Sequence, residues 1–372
     1  MKNTTGIILA QDRVDAMRDL TQHRTIASVP FGGRYRLIDF VLSNLVNSGV
    51  RTVGVVTKSN YYSLMDHLGS GKEWDLNRKK GGLSILPPSL GMPGSFQPNT
   101  GKIEALEGII NYIRFCGSKY IIVTDANIVA NIDYTEFLDY HIEKHAYMTV
   151  LYQKDVFDPH RFRDNTFLQL NDDGKITDVA INQNIQLHSN MLLGTYIIER
   201  ELLDFLISQC TAHNRLNFER DIIQDMCNDL DIYGYCYDGY VEKIDSIETF
   251  RKANMDLLNP NIRDVLFGDG NILTKVRDEV PTYYGENSRV ENSLIADGCI
   301  INGRVENSII FRSVAIEKDA VVKNSIIMQD SKISQGATVE HCIADKMVSV
   351  SEGRTIIGAD SYPVVLAKGS KI

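Results

Sequence analysis

The stretch that decides the fold of the last third of the chain is Val290-Glu291-Asn292-Ser293-Leu294-Ile295. Its pattern returns as Val305-Glu306-Asn307-Ser308-Ile309-Ile310 and as Val322-Lys323-Asn324-Ser325-Ile326-Ile327. Across these copies an aliphatic residue recurs every five or six positions, at Val290, Ile295, Ile300, Val305, Ile310, Ile316, Val322, Ile327, Ile333 and Val339. A near-hexapeptide repeat is typical of a parallel β-helix, in which three short strands form one coil and the repeated aliphatic points inward. The alternative, a sandwich, usually spaces its strands at roughly 8–12 residues.

The first part of the chain alternates strand and helix patterns. Gly6–Ala10, Thr52–Thr57 and Tyr120–Thr124 are short continuous apolar runs, which predict buried strands. Helical spacing follows in Ile38–Asn47 and Tyr134–His145. This alternation predicts an α/β fold with a doubly wound, mostly parallel sheet that is covered on both faces.

The change of pattern divides the chain into an α/β domain at 1–258, a linker at 259–285 and a β-helix domain at 286–372. Within the first domain, Pro87, Pro88, Pro93 and Pro98 place an irregular loop at Leu86–Asn99. A helix is predicted after this loop, at Ile103–Arg114.

Composition excludes several classes of protein. The 372 residues carry 39 basic and 48 acidic side chains, a net charge of −9, which argues against binding nucleic acid through its phosphates. No run approaches the roughly 18 apolar residues of a membrane span, and no targeting segment is evident, so a cytoplasmic location is expected. The six cysteines are scattered without a Cys-x-x-Cys, which predicts reduced thiols and no zinc site.

Two local features could carry chemistry. Gly32, Gly33, Arg34 and Arg36 stand directly before an apolar helix, where backbone donors and guanidinium groups could hold an anion; the alternative is a tight turn with solvated arginines. Asp125 follows a strand at the carboxyl edge of the predicted parallel sheet, where open α/β folds bind ligands. It could bind a divalent metal or cap the following turn.

The first of these segments carries a family resemblance. Ser28–Phe40, Leu42-Ser43-Asn44, Asn47–Arg51 and Lys252–Leu258, together with the repeats, resemble the bacterial glucose-1-phosphate adenylyltransferases, also called ADP-glucose pyrophosphorylases. The resemblance implies a Rossmann-like nucleotidyltransferase domain followed by a left-handed β-helix of hexapeptide repeats. It further implies tetramers that transfer adenylyl from ATP to glucose 1-phosphate with Mg²⁺, for glycogen synthesis.

The chain departs from the family at the loop that receives the triphosphate. The family pattern Ala-Gly-Gly-x-Gly-Thr-Arg-Leu aligns with Ala10–Met17, so its glycines become Gln11, Asp12 and Val14. A β-branched residue resists the positive φ that glycine permits, and an aspartate repels phosphate. Two cations are also lost, because Ala16 replaces the loop arginine and Ile26 replaces the lysine before Pro-Ala-Val.

Further departures follow downstream. The family's Gly-Thr-Ala-Asp-Ala aligns with Asn99-Thr100-Gly101-Lys102-Ile103, which retains Thr100, and Ile181-Asn182-Gln183 lacks the lysine of the sugar-phosphate segment. Asp125 matches the first metal aspartate. Lys243 falls at the position of the second, with Asp245 two residues later.

These losses resemble the D-type companion subunit of the Gram-positive enzyme. The resemblance implies a non-catalytic or weakly active regulatory subunit that joins a catalytic subunit in a hetero-oligomer, expected to be a tetramer. No cofactor is then required by this chain alone, and Mg²⁺ belongs to the active subunits. Arg34 and Arg36 are expected to bind a sugar-phosphate or nucleotide effector. The alternative is an active sugar-phosphate nucleotidyltransferase with a rearranged phosphate loop, supported by Asp125, Thr100 and Asp245.

Overall fold

The computed structural model describes residues 1, 3–10, 17–58, 60–87, 101–158, 161, 165–183, 186–268 and 272–372. The phosphate-loop positions Gln11, Asp12, Val14 and Ala16, and Thr100 after the proline-rich segment, lie outside these described residues. The chain forms two compact units. The first comprises residues 1–11, 41–61 and 68–241, and the second comprises 12–40, 62–67 and 242–372.

A nine-stranded mixed sheet forms the centre of the first unit. Thr4–Ala10 pairs in parallel with Thr52–Thr57 on one side and with Tyr120–Asp125 on the other. All seven residues of Thr4–Ala10 are buried, as expected for a strand covered on both faces. Asn190–Glu199 runs antiparallel to Tyr120–Asp125, so the predicted parallel sheet is confirmed at its centre and becomes mixed beyond it. The other strands of this sheet are Gly82–Leu86, Met148–Gln153, Thr166–Leu170, Ile176–Ile181 and Ile232–Cys236.

Helices of about two to four turns cover the strands. The predicted helix at Ile103–Arg114 is instead two helices, Lys102–Glu107 and Ile110–Phe115, because Gly108, a poor helix former, ends the first one. No helix in the described part of the chain is long and apolar enough to cross a membrane. The other α-helices are Leu37–Asn47, Tyr62–Leu68, Tyr134–Glu143, Arg200–Ala212, Ile247–Asp256 and Pro260–Phe267. Short 3₁₀ turns lie at Arg18–Thr21, Ile26–Ser28 and Lys72–Trp74, and Glu219–Gln224 is wound as a π-helix.

The repeats form a parallel β-helix of three five-stranded sheets within the second unit. The first sheet contains Tyr283–Tyr284, Ile300–Ile301, Ala315–Ile316, Lys332–Ile333 and Ser349–Val350. The second contains Arg289–Glu291, Arg304–Glu306, Val321–Lys323, Thr338–Glu340 and Thr355–Ile357. The third contains Leu294–Ile295, Ile309–Ile310, Ile326–Ile327, Cys342–Ala344 and Val364–Leu366. The remaining short strands are Pro30–Phe31, Tyr35–Arg36, Ile128–Ala130 and Val241–Lys243.

The repeated aliphatics form the β-helix core with one correction. From Val305 to Val339 every predicted inward residue is fully buried, whereas Val290 and Ile295 in the end coil are half-buried. Ile300 was predicted to point inward, but it is 49% exposed and Ile301 is buried in its place. Because side chains alternate along a strand, two adjacent isoleucines leave the choice to the register, which pairs Ile301 with Ile316.

The polar half of the repeat forms the corner between the second and third strands of a coil. Asn292, Asn307 and Asn324 all have positive φ, a conformation that asparagine tolerates better than most residues. The serine that follows bonds back to the strand and up to the next coil: Ser308 Oγ donates to the Glu306 carbonyl at 2.6 Å and accepts from the Ser325 amide at 3.1 Å. The Asn-Ser pair therefore recurs because each corner needs the same turn.

Candidate functional site

Asp125 lies where the sequence predicted it, at the carboxyl end of the central strand Tyr120–Asp125. Its carboxylate is already engaged, because Asp125 Oδ2 lies 2.8 Å from the Nζ of Lys102. Lys102 is the first residue of the helix Lys102–Glu107. The side chains of both residues are about one-sixth exposed, at 17% and 16%. This contact is therefore a largely buried ion pair.

Two further side chains complete the surroundings of Lys102. Glu219 Oε1 lies 2.7 Å from Lys102 Nζ, and the hydroxyl of fully buried Tyr196 lies 3.2 Å from it. The Tyr196 hydroxyl also donates to Glu219 Oε1 at 2.9 Å. We call Lys102, Asp125, Tyr196 and Glu219 the Lys102 cluster. It joins a helix, two strands and the π-helix of the first unit.

The electrostatics of the cluster favour its charged form. Burial opposes the charge on Lys102, but Asp125 and Glu219 outweigh burial and hold the pKa of the ammonium well above its usual value. Burial likewise opposes the charge on Glu219, but Lys102 lowers the pKa of that carboxyl to about 2. Burial, and then Glu219, raise the pKa of Tyr196 well above its usual value. Lys102 and Glu219 are therefore ionised at neutral pH, and Tyr196 is neutral.

A glycine makes room for Asp125. Gly194 on the neighbouring strand has a φ of +76°, and a Cβ there would overlap the Asp125 carboxylate. The left-handed conformation also disfavours any other residue at that position. The carboxylate is thus seated against backbone on one side and against the lysine on the other.

The residues present do not fit a divalent ion at Asp125. Magnesium requires a near-octahedral shell of oxygen ligands and is repelled by a neighbouring cation. Here the nearest neighbour of the Asp125 carboxylate is an ammonium. Among the described residues, no three His, Cys, Asp or Glu side chains are grouped to hold a metal.

Asp245, the second candidate for the metal, belongs to the second unit and lies just before the helix Ile247–Asp256. Its Oδ1 accepts from the Thr249 hydroxyl at 3.2 Å, and its backbone amide donates to Thr249 Oγ1 at 3.1 Å. Ser246 and Thr249 form a capping box at the start of this helix. Asp245 therefore takes part in a helix start.

The resemblance places one lysine at Ile26 and another within Ile181-Asn182-Gln183, and both segments lack a cation here. Ile26 is 6% exposed and packs as an apolar residue in its 3₁₀ turn. Gln183 is also buried, and its side-chain oxygen accepts from the amides of Leu187 and His188. Both side chains are used to stabilise the local fold.

The predicted anion segment is a tight glycine turn that also presents cations. Gly32 and Gly33 have positive φ, and they join the paired strands Pro30–Phe31 and Tyr35–Arg36. Arg34 at the turn is exposed. The Arg36 guanidinium donates to Ser63, to its carbonyl at 2.6 Å and its hydroxyl at 3.0 Å. The segment is therefore a tight turn, as one interpretation predicted, and anion binding by its arginines stays a prediction.

Arg36 belongs to a group of cations that includes Arg24, Arg277 and Lys346. The Arg24 guanidinium donates two hydrogen bonds to the Asp345 carboxylate, at 2.9 and 2.8 Å, and both side chains are almost completely buried. Within the described residues, the side-chain nitrogens of Arg36, Arg277 and Lys346 have no carboxylate within 4 Å. Burial, and then Arg36 and Arg24, lower the pKa of Lys346 to about 7. Burial also lowers the pKa of Arg36 to about 10, against the influence of Asp39.

Arg312 extends these cations toward Arg34. It is 5% exposed, its Nε is 3.9 Å from Asp297, and its buried Nη2 has no hydrogen-bond partner among the described residues. Burial lowers the pKa of Arg312, and the charge of Arg34 lowers it further. We call Arg34, Arg36, Arg277, Arg312 and Lys346 the cation group.

Sequence reasoning placed Asp125 but missed the other members of its cluster. Lys102 is 23 residues from Asp125 and 117 residues from Glu219, and no local pattern links them. Lys102 was visible only as a member of an aligned segment, Asn99–Ile103. Lys346 and Arg312 lie in the repeats but outside the periodic aliphatic positions. The repeat pattern therefore did not single them out.

Comparison with known proteins agrees with this geometry in both parts of the chain. Residues 5–259 match the nucleotidyl transferase family, and residues 279–363 match the GlmU-like C-terminal hexapeptide family. The chain is 37% identical over 368 residues to the glycogen biosynthesis protein GlgD of Bacillus subtilis (strain 168), covering 98% of this chain and 95% of that protein. It is 39% identical over 319 residues to the protein of the same name from Geobacillus stearothermophilus, covering 85% and 82%. It is 32% identical over 326 residues to the glucose-1-phosphate adenylyltransferase of Clostridium novyi (strain NT), covering 86% and 84%.

Proposed function

Because this chain belongs to the nucleotidyl transferase family, in the group of the glucose-1-phosphate adenylyltransferases and the GlgD proteins, we propose that it serves glycogen biosynthesis as a regulatory subunit. In this role it has little or no adenylyltransferase activity of its own. It acts by assembling with a catalytic subunit that makes ADP-glucose from ATP and glucose 1-phosphate. The expected location is the cytoplasm.

The observation that carries this proposal is the state of Asp125. The family resemblance assigns this carboxylate to the catalytic metal, but here it forms an ion pair with Lys102 at 2.8 Å. A carboxylate that is neutralised by a fixed lysine cannot supply the charge that draws a divalent ion and its nucleotide. Buried Ile26 supports the same conclusion, because it removes a cation from the phosphate side.

The partner is the catalytic subunit, in a hetero-oligomer that we propose to be a tetramer. The support is similarity along 98% of the chain to a GlgD protein, together with 32% identity over 326 residues to an adenylyltransferase. A chain with the same two parts can replace one copy in a family assembly while its own site stays silent.

The regulatory site is the cation group, with Arg34 and Arg36 as its exposed and half-buried members. An anion with more than one phosphate suits it, because Arg36, Arg277 and Lys346 have no carboxylate partner among the described residues and Arg312 has an unused buried N–H. Guanidinium groups bind phosphate through paired hydrogen bonds, and the lysine adds a point charge. We propose a sugar phosphate or a nucleotide as this effector.

The test is to add this chain to the catalytic subunit from the same source and measure the mass of the complex and its rate of ADP-glucose synthesis. We expect a mixed complex whose rate or effector response differs from that of the catalytic subunit alone. Asp125→Asn in this chain should leave that difference in place. The proposal would be overturned if this chain did not associate with the catalytic subunit. It would also be overturned if Asp125→Asn removed the part of the rate that this chain adds.

Arg34→Ala tests the effector site in the same mixed complex. We expect weaker sulfate binding and a weaker effector response, because an exposed cation is removed from the hairpin. Lys368→Ala, another exposed-surface cation outside the cation group, serves as the control. If Arg34→Ala leaves both properties unchanged, Arg34 is not part of an effector site.

A further inference from the structure

We propose that the Lys102 ammonium is a permanent cation in the Asp125 site, fixed by Asp125, Glu219 and Tyr196, and that it excludes any divalent ion from Asp125. The proposal does not depend on the regulatory role, because it concerns metal binding and stability of this chain alone. It assigns a role to two residues, Glu219 and Tyr196, that the sequence did not single out.

The geometry around Lys102 matches the needs of an ammonium. A lysine ammonium has three N–H donors. Three oxygens lie within hydrogen-bond distance of Nζ: Glu219 Oε1 at 2.7 Å, Asp125 Oδ2 at 2.8 Å and Tyr196 OH at 3.2 Å. Each comes from a different element, so the ammonium is satisfied without any solvent or added ligand.

The surroundings hold these oxygens in place. The Tyr196 ring packs against Phe218 with centroids 4.8 Å apart, and its hydroxyl donates to Glu219. Gly194 lets Asp125 approach the neighbouring strand. Gly101, directly before Lys102, lies so close to the Leu216 carbonyl that any Cβ would overlap it. The start of the lysine helix is therefore packed against the segment that leads to Glu219.

The charges explain why the lysine excludes a metal. The ammonium bonds Asp125 Oδ2, so an ion on that carboxylate would lie beside a positive charge in a largely buried place, where repulsion is little screened. If the lysine charge were removed, the two carboxylates would be left close together, and a divalent ion could then take its place.

Lys102→Met tests the proposal, because methionine keeps the length of the side chain and removes its charge. We expect its Tm to fall by about 5–10 °C, since one partner of a buried ion network is lost. Mn²⁺ should raise the Tm of Lys102→Met but not that of the wild type. Lys119→Met is the matched control, because it removes a lysine from the exposed pair with Glu199 and should leave the Tm nearly unchanged.

Electron paramagnetic resonance of Mn²⁺ gives a second measurement, which detects metal binding directly. We expect no Mn²⁺ bound to the wild type at this site, so Asp125→Asn should not alter the titration. Lys102→Met should gain one Mn²⁺ that Lys102→Met/Asp125→Asn loses. Mn²⁺ binding by the wild type that Asp125→Asn abolishes would overturn the proposal. So would a Lys102→Met protein as stable as the control, or one that Mn²⁺ neither binds nor stabilises.

Discussion

The Lys102 cluster and the cation group use charge in opposite ways. In the first unit, the ammonium of Lys102 is bonded by two carboxylates and a tyrosine, all from the chain itself. In the second unit, the side-chain nitrogens of Arg36, Arg277 and Lys346 have no carboxylate within 4 Å among the described residues. The first arrangement is satisfied internally, whereas the second has positive charge left over.

This difference indicates where a ligand is needed. A buried charge that is already paired gains little from a ligand, and breaking its ion pair costs much stability. Burial, and then the charges of Arg36 and Arg24, make the charge on Lys346 costly and lower its pKa to about 7, and a bound anion would relieve that cost. We therefore propose that the Asp125 side of the chain needs no ligand and that the cation group binds an anion.

The clearest test of this contrast lies within the second unit. There the buried side chain of Arg24 is paired with Asp345, whereas the side chains of Arg36 and Lys346 have no carboxylate partner among the described residues. Arg24→Ala should lower the free energy of unfolding by about 3–5 kcal/mol, because it leaves Asp345 buried without its bidentate partner. Arg34→Ala, at an exposed position, should change it by less than about 0.5 kcal/mol. Urea unfolding of both variants measures these free energies. Equal decreases would mean that the paired and the unpaired cations do not differ in their contribution to stability.

The next effect concerns the open cations themselves. Lys346→Met should weaken sulfate binding at pH 6 by about tenfold, because one charged contact of the cation group is lost. Stability without sulfate should not fall, since burial already disfavours the charge on Lys346. Isothermal titration measures the affinity, and Lys332→Met, which removes an exposed lysine paired with Glu317, is the control. Unaltered sulfate affinity in Lys346→Met would exclude Lys346 from the site.

The smallest effect is the pH dependence of anion binding. The folded-state pKa of Lys346 is about 7, below its usual 10.5, so the folded chain loses this charge as the pH rises through 7. Sulfate affinity should therefore fall by about fivefold between pH 6 and pH 8. Sulfate stays fully ionised over this range, and Lys346→Arg should flatten the profile. A wild-type affinity that rises with pH would have the wrong sign for this account.

The same pKa fixes the sign of the stability effect. Between about pH 7 and 10.5 the unfolded chain binds the Lys346 proton and the folded chain does not, so this residue makes stability rise with pH across that window. Below pH 7 both states are protonated and the cost of the buried charge is fully present.

Periodic features of the fold could be predicted from the sequence. The repeats predicted the β-helix, and continuous apolar runs predicted the central strands, because burial imposes a pattern that needs only neighbouring residues. Ile300 was misplaced by one residue because Ile301 is also aliphatic, and only pairing with Ile316 decides between them. The helix at Ile103–Arg114 was drawn unbroken because its apolar spacing continues across Gly108.

Site residues could be predicted from the sequence only where a single residue and its own strand or turn indicate its place in the site. Asp125 follows directly from the end of a strand, and Arg34 and Arg36 follow from a glycine turn. The partner of Asp125 could not be found in this way, since Lys102, Tyr196 and Glu219 meet through tertiary contacts between distant elements. The missing glycines and lysines predicted an inactive site. The ion pair of Lys102 with Asp125 could be found only in the structure.

We propose that the Asp125 site is closed and does not catalyse. ADP-glucose formation can be measured for the purified chain alone, with ATP, glucose 1-phosphate and Mg²⁺, beside its Asp125→Asn variant. We expect the two proteins to give the same rate, far below that of an active adenylyltransferase of the family. Turnover comparable with such an enzyme that is lost in Asp125→Asn would contradict it.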